Sequence, residues 1–126
     1  KKKYPAISMS TNDLLILFLD KNRYEVITNN LNNLGGCSAG LIACTITPEG
    51  FVTPCARFFK KFANIRDKPL KEIWENNPLL QNLRDRTKLK GKCGRCEYKY
   101  VCGGCRADAF HKQNDYLAED SLCWIK

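Results

Sequence analysis

The residues able to do chemistry here are eight cysteines: Cys37, Cys44, Cys55, Cys93, Cys96, Cys102, Cys105 and Cys123, separated by x6, x10, x37, x2, x5, x2 and x17. The central group is tight. A Cys-x2-Cys pair lets two thiolates face one ion from a single turn, and Gly94, Gly103 and Gly104 let backbone amides approach the sulfurs as hydrogen-bond donors. Eight thiols also divide evenly into two four-thiolate sites. Three chemistries compete: two four-cysteine zinc sites, two iron–sulfur clusters, or four disulfides. Disulfides fit least, because the chain shows no secretion signal and is long enough to fold around a core. Spacing alone leaves zinc and iron–sulfur nearly even.

The chain has 126 residues, 44% of them apolar, a length and composition that suit one ordinary domain. The longest unbroken apolar run, Leu14 to Leu19, is six residues, where a membrane span needs about twenty. Lys1-Lys2-Lys3 is followed by no long apolar region of the kind a signal peptide carries, so the expected location is the cytoplasm, with reduced thiols. Lys and Arg outnumber Asp and Glu by 21 to 13, a formal charge of +8. With Lys60-Lys61 and Lys88-Leu89-Lys90-Gly91-Lys92, that excess makes a basic zinc module binding nucleic acid a rival reading. The cations are scattered, however, and the aromatics form no stacking array with them.

The elements that must position the thiols give an α+β expectation. Thr11, Asn12 and Asp13 can cap a helix over Leu14 to Leu19, and residues 1–35 read as a segment that packs against something else. Leu41 to Thr47 and Phe51 to Cys55 are β-rich around the turn signal Pro48-Glu49-Gly50, which predicts a β-hairpin with Cys44 and Cys55 on facing strands. Asp67 is the expected cap of a helix with Pro69 in its first turn and Leu70, Ile73 and Trp74 on one face. Asn77-Pro78 starts a second short helix, with Leu79, Leu80 and Leu83 inward and charged Arg84-Asp85-Arg86 at its end. Residues 87–104 read as irregular. A last helix runs from Arg106 to Lys112, closed by Asn114 in the left-handed conformation.

From Cys37 to Cys123, about 87 of 126 residues, the chain resembles the SPASM domain, the C-terminal auxiliary iron–sulfur domain of radical S-adenosylmethionine enzymes. The motifs are Cys37, Gly50-x4-Cys55, Cys93-x2-Cys96-x5-Cys102-x2-Cys105 and the distant Cys123. The text between also matches: Cys37-Ser38-Ala39-Gly40, Ile46 to Cys55, Asn64 to Trp74, and Cys102-Gly103-Gly104-Cys105-Arg106-Ala107. The x2 spacing of Cys102 and Cys105 is common in the branch that modifies haem precursors, tungsten cofactors and peptides.

The resemblance implies a small, irregular Cys-rich domain wrapped around two [4Fe–4S] clusters, the first held by Cys37, Cys44, Cys55 and Cys105, the second by Cys93, Cys96, Cys102 and Cys123. Cys44 has the alternative role of a small buried apolar residue. Two such sites would each add about −2, bringing the net charge to about +4 and absorbing part of the basic excess. The resemblance further implies a partner barrel, in the same or another chain, where S-adenosylmethionine is cleaved on a cluster held by Cys-x3-Cys-x2-Cys. That motif is absent from this sequence, so the segment is not catalytic alone. Residues 1–35 are expected to end such a barrel and residues 36–126 to form the auxiliary domain. It would serve electron transfer with an external donor or acceptor, and the positioning of a peptide or cofactor-precursor substrate. A stand-alone ferredoxin-like carrier is the alternative. Arg57, Arg66, Arg95 and Arg106 lie near the cysteines in sequence and are candidates to stabilise a reduced cluster or to be solvated charge. His111 is expected to be a surface or packing residue, and Trp74 and Trp124 packing anchors.

Overall fold

The computed structural model describes residues 36–125. The expectations for residues 1–35 therefore lie outside the described residues. The cysteine-rich part is a small α+β unit: three short strands, β1 (Thr45–Ile46), β2 (Phe51–Thr53) and β3 (Ala63–Asn64), precede four helices, α1 (Leu70–Asn76), α2 (Pro78–Arg84), α3 (Gly91–Arg95) and α4 (Arg106–Gln113). A 3₁₀ turn at Arg86–Lys88 joins α2 to α3. Among the described residues no helix is long and apolar enough to cross a membrane.

The sheet is an antiparallel meander in the order β1-β2-β3, pairing Thr45 with Thr53 and Ile46 with Val52, then Phe51 with Asn64 and Val52 with Ala63. The expected hairpin is present, its turn closed by Gly50 N–H to the Thr47 carbonyl at 2.8 Å and Thr47 N–H to the Phe51 carbonyl at 2.8 Å. The third strand was not expected. It is held by backbone bonds from Ile65 N–H to the Gly50 carbonyl at 2.9 Å and from Phe62 N–H to the Val52 carbonyl at 3.4 Å, and Asn64 adds a bond from Nδ2 to the Glu49 carbonyl at 3.2 Å. Cys44 precedes β1 and Cys55 follows β2, so both stand at the open end of the hairpin, outside its paired residues.

Helix α1 differs from expectation at its start. Pro69, locked at φ −55°, takes the N-cap position itself, with no side-chain cap, and Asp67 lies in the preceding turn, where its N–H reaches the Asn64 carbonyl at 3.1 Å. The helix buries Ile73 but leaves Leu70 40% exposed. Trp74 does anchor, packing on the core with the Arg84 guanidinium 4.3 Å over its ring. Helix α2 follows the sequence closely: Asn77 Oδ1 accepts the Leu79 N–H at 2.9 Å, Pro78 fills the first turn, and Leu79, Leu80 and Leu83 are buried. Helix α4 ends as expected on Asn114 at φ 53°, its N–H donating to the Phe110 carbonyl at 2.8 Å. The other anchor fails, for Trp124 is 58% exposed.

Phe58, Leu79, Leu80, Leu83 and Ala107 form the core, and Phe58 stacks on Phe110 with centroids 4.8 Å apart. Cys55 and Cys105 pack against this same cluster. Strands of two and three residues cannot hold themselves together, so the apolar stripe of α2 seated under Phe58 is what fixes the domain. Truncating the fully buried Leu80 to Ala is predicted to cost about 2–5 kcal/mol in a denaturant titration, whereas Ile42→Ala, at an exposed site, stays within about 0.5 kcal/mol. Equal losses would contradict this account of the core.

Candidate iron–sulfur centre

Cys93, Cys96, Cys102 and Cys123 line one cavity of about 360 Å³, with Gly103, Gly104 and Asp120 in its wall. Helix α3 supplies the first two: Cys93 lies within it and Cys96 ends it, three residues apart and so on one face. The sequence reading had no helix here, for good reason, since Gly91 and Gly94 are poor helix formers. The helix exists because the Glu119 carboxylate accepts the Lys92 N–H at 2.6 Å from 27 residues away, and because Lys90 N–H is taken by the Leu117 carbonyl at 2.8 Å. Cys102 is presented by a turn in which its N–H reaches the Tyr98 carbonyl at 2.8 Å, and Cys123 by one closed on the Asp120 carbonyl at 3.3 Å.

These four thiols share one electrostatic field. Burial pushes the Cys102 thiol up; the Gly104 N–H, 3.4 Å from its Sγ, opposes this, and thiolates at Cys93, Cys123 and Cys96 raise it further. Cys93 Sγ accepts from the Asp120 N–H at 3.4 Å and from Arg106 Nη2 at 3.5 Å. A Cβ on Gly104 would stand 2.9 Å from Cys93 Sγ and 2.8 Å from Asp120 Cβ, so glycine is what lets the chain lie against the sulfur.

A second group brings Cys37, Cys55 and Cys105 together. Burial raises the Cys55 thiol, the Arg57 backbone N–H opposes it, and thiolates at Cys37 and Cys105 raise it again. Cys105 is the N-cap of α4, its Sγ accepting the Asp108 N–H at 3.5 Å. Its own N–H donates to Asp120 Oδ2 at 2.7 Å, and Cys37 N–H donates to the Cys102 carbonyl at 3.2 Å. The two groups are thus tied to one another through the Cys102–Cys105 backbone and Asp120. Cys44 stands apart from this field, its thiol raised by burial alone.

Four charged residues frame the thiols. Arg106, 1% exposed, donates to the carbonyls of Gly104 at 3.3 Å, Tyr116 at 3.1 Å and Ala118 at 2.6 Å as well as to Cys93 Sγ. Of the other arginines singled out from sequence, Arg57 and Arg66 are exposed, and Arg95, also exposed, borders the cavity. His111 is exposed, with Nε2 2.7 Å from the Arg57 carbonyl, a surface contact as expected. The sequence reading missed Arg86, which is buried and donates from Nη2 to the Cys37 carbonyl at 3.1 Å. No helical spacing could have found it, because α2 ends at Arg84 and the extended Asp85 starts a separate 3₁₀ turn that carries Arg86 inward. It also missed Asp108 and Asp120. Although burial works against it, hydrogen bonds from the Ser121 hydroxyl at 2.6 Å and N–H at 3.1 Å hold the Asp108 carboxyl below its usual range.

A tetrahedral zinc site needs its donors at about 2.0–2.3 Å from one point. Among the described residues no three His, Cys, Asp or Glu side chains are grouped closely enough to hold a metal ion, which bears equally on zinc and on a cluster. Thiols around a wider cavity, with N–H donors directed at the sulfurs, fit a polynuclear cluster, whose hydrogen-bonded thiolates and burial set its redox behaviour. Several cations of the rival nucleic-acid reading are engaged within the fold: Lys61 lies 4.5 Å over Phe51, Lys90 pairs with Asp115 at 2.6 Å, and Lys92 Nζ donates to the Cys123 carbonyl at 3.3 Å.

Comparison with known proteins agrees with this chemistry. Residues 37–97 match the SPASM family, described as an iron–sulfur cluster-binding domain. The chain is 45% identical over 100 residues to the AdoMet-dependent heme synthase of Methanosarcina barkeri, covering 79% of this chain and 27% of that protein. It is 32% identical over 103 residues to the Pre-heme d1 synthase of Dinoroseobacter shibae, covering 79% and 26%, and 34% identical over 85 residues to the PqqA peptide cyclase of Methylocella silvestris, covering 64% and 23%. The chain therefore spans about a quarter of the length of the curated relatives it matches. Residues 37–97 of the chain belong to the SPASM family of iron–sulfur cluster-binding domains, as do the radical S-adenosylmethionine enzymes that it resembles.

Proposed function

We propose that this chain carries two auxiliary [4Fe–4S] clusters in a radical S-adenosylmethionine enzyme, for electron transfer and substrate positioning, with Cys93, Cys96, Cys102 and Cys123 holding one and Cys37, Cys44, Cys55 and Cys105 the other. The observation that carries the proposal is the separation of the thiols into two electrostatically coupled groups, one lining a single cavity and the other packed against the core. Cys44, the half-buried thiol that precedes β1 at the open end of the hairpin, is assigned to the second set on the strength of the resemblance. Bound clusters supply one-electron chemistry.

The chain's own residues do the rest. Asp120 fixes the spacing of the two sites by accepting the Cys105 N–H while donating its own N–H to Cys93 Sγ. Gly104 and Asp108 direct backbone N–H donors at the sulfurs of Cys102 and Cys105, and at Cys102 that bond opposes the rise that burial imposes. The core against Cys55 and Cys105 keeps water from one side of that site. The 45% identity to a haem synthase supports a tetrapyrrole precursor as substrate of the whole enzyme, in which residues 1–35 lead out of a barrel that binds S-adenosylmethionine and residues 36–126 form the cluster domain.

After anaerobic reconstitution of the whole protein, the residues of this domain should account for about eight iron and eight sulfide. Stoichiometric zinc without sulfide would overturn the proposal. Gly104→Ala should lower the iron of this domain, because its Cβ meets Cys93 Sγ of one site and Asp120, which ties that site to the other; undiminished iron would remove the close approach as a requirement.

A further inference from the structure

Arg86 is 2% exposed, and among the described residues no carboxylate pairs with it. Nη2 donates to the Cys37 carbonyl at 3.1 Å, while the buried Nε and Nη1 have no hydrogen-bond partner. A guanidinium keeps its charge even here, and a buried charge without a counter-charge is among the most expensive arrangements in a protein. Arg106 shows the contrast, for its guanidinium is satisfied by three carbonyls and one sulfur. Arg86 therefore stands beside something that must become negative. The charges that favour it are Cys37 in one thiol group and Cys102 and Cys93 in the other, while the neighbouring Arg106 opposes it, so two buried cations crowd the same sulfurs. The chain makes room for it: any Cβ at Gly103, whose φ is +69°, would fall inside the guanidinium. Arg86 reaches this position from the 3₁₀ turn after α2, whose Asp85 cap accepts the Thr87 N–H at 3.0 Å.

We infer that Arg86 is a positioning residue shared by the two thiol sites, a buried cation that, beside Arg106 at Cys93, compensates the negative charge of both when they are loaded. The inference rests on the two-cluster reading above. A one-electron reduction adds negative charge to a cluster, and a fixed cation beside it favours the reduced state. Removing that cation makes both clusters harder to reduce. A residue that only fills space would change stability and leave potentials alone.

The test is a potentiometric titration, followed by electron paramagnetic resonance, of the anaerobically reconstituted whole protein as wild type, Arg86→Gln and Arg86→Lys, with iron and sulfide counted in each. With iron retained, Arg86→Gln should shift the midpoints of both auxiliary clusters to more negative values, and Arg86→Lys should recover part of each shift. Midpoints that stay in place, or a shift confined to one cluster, would overturn the inference. If Arg86→Gln fails to load, restored loading in Arg86→Lys supports the charge role, and failure of both variants assigns Arg86 a role of shape alone and overturns it. A wild-type protein without iron would instead sink the two-cluster reading.

Discussion

Thiols gathered together and withdrawn from water resist becoming thiolates, and the rest of this domain is organised around that resistance. Cys55 and Cys102 are each pushed up first by burial and then by neighbouring cysteines, so the fold must supply whatever makes negative sulfur tolerable. It does so with short-range donors: the Gly104, Asp108 and Asp120 N–H groups, and Arg106, all aimed at sulfur. The Gly104 and Asp120 N–H groups are free because the backbone is irregular there, and the Asp108 N–H because the first turn of a helix leaves its N–H groups without helical partners.

That chemistry also explains why the regular elements are few and short. The core of Phe58, Leu80 and their neighbours is small, and two cysteines sit directly on it. The thiol sites are in effect extensions of the core, and a ligand bound there adds its binding free energy to folding, as in other small metal-dependent domains. Asp120 carries a large share of the organisation, because its side chain holds the Cys105 and Leu122 N–H groups while its backbone holds Cys93.

Local signals in the sequence were legible wherever neighbours along the chain decide the structure. The hairpin around Pro48-Glu49-Gly50, the Asn77-Pro78 start of α2 and the Asn114 end of α4 all appear as read. What was not legible depends on distant partners. Strand β3 has two residues and exists through its backbone pairing with β2, to which Asn64 adds a bond to the hairpin turn; α3 is glycine-bearing and is capped by Glu119. Asp67 lost its capping role to Pro69, and Leu70 and Trp124 proved exposed. Arg86 lies beyond the extended Asp85 that ends α2, and its charge made it read as the solvated end of a helix. The cysteine motifs, by contrast, were legible at once, because ligand chemistry constrains residue type more tightly than any element constrains its sequence.

The central claim is that two independent sites are drawn from two separate sets of thiols. Mössbauer spectroscopy of iron-57-reconstituted whole protein tests it most directly, comparing wild type with one variant carrying Cys93→Ser, Cys96→Ser, Cys102→Ser and Cys123→Ser, and another carrying Cys37→Ser, Cys55→Ser and Cys105→Ser. The account predicts that each variant loses about four iron and keeps the other [4Fe–4S] signal. Loss of every auxiliary iron in both variants, or of none in either, would contradict it.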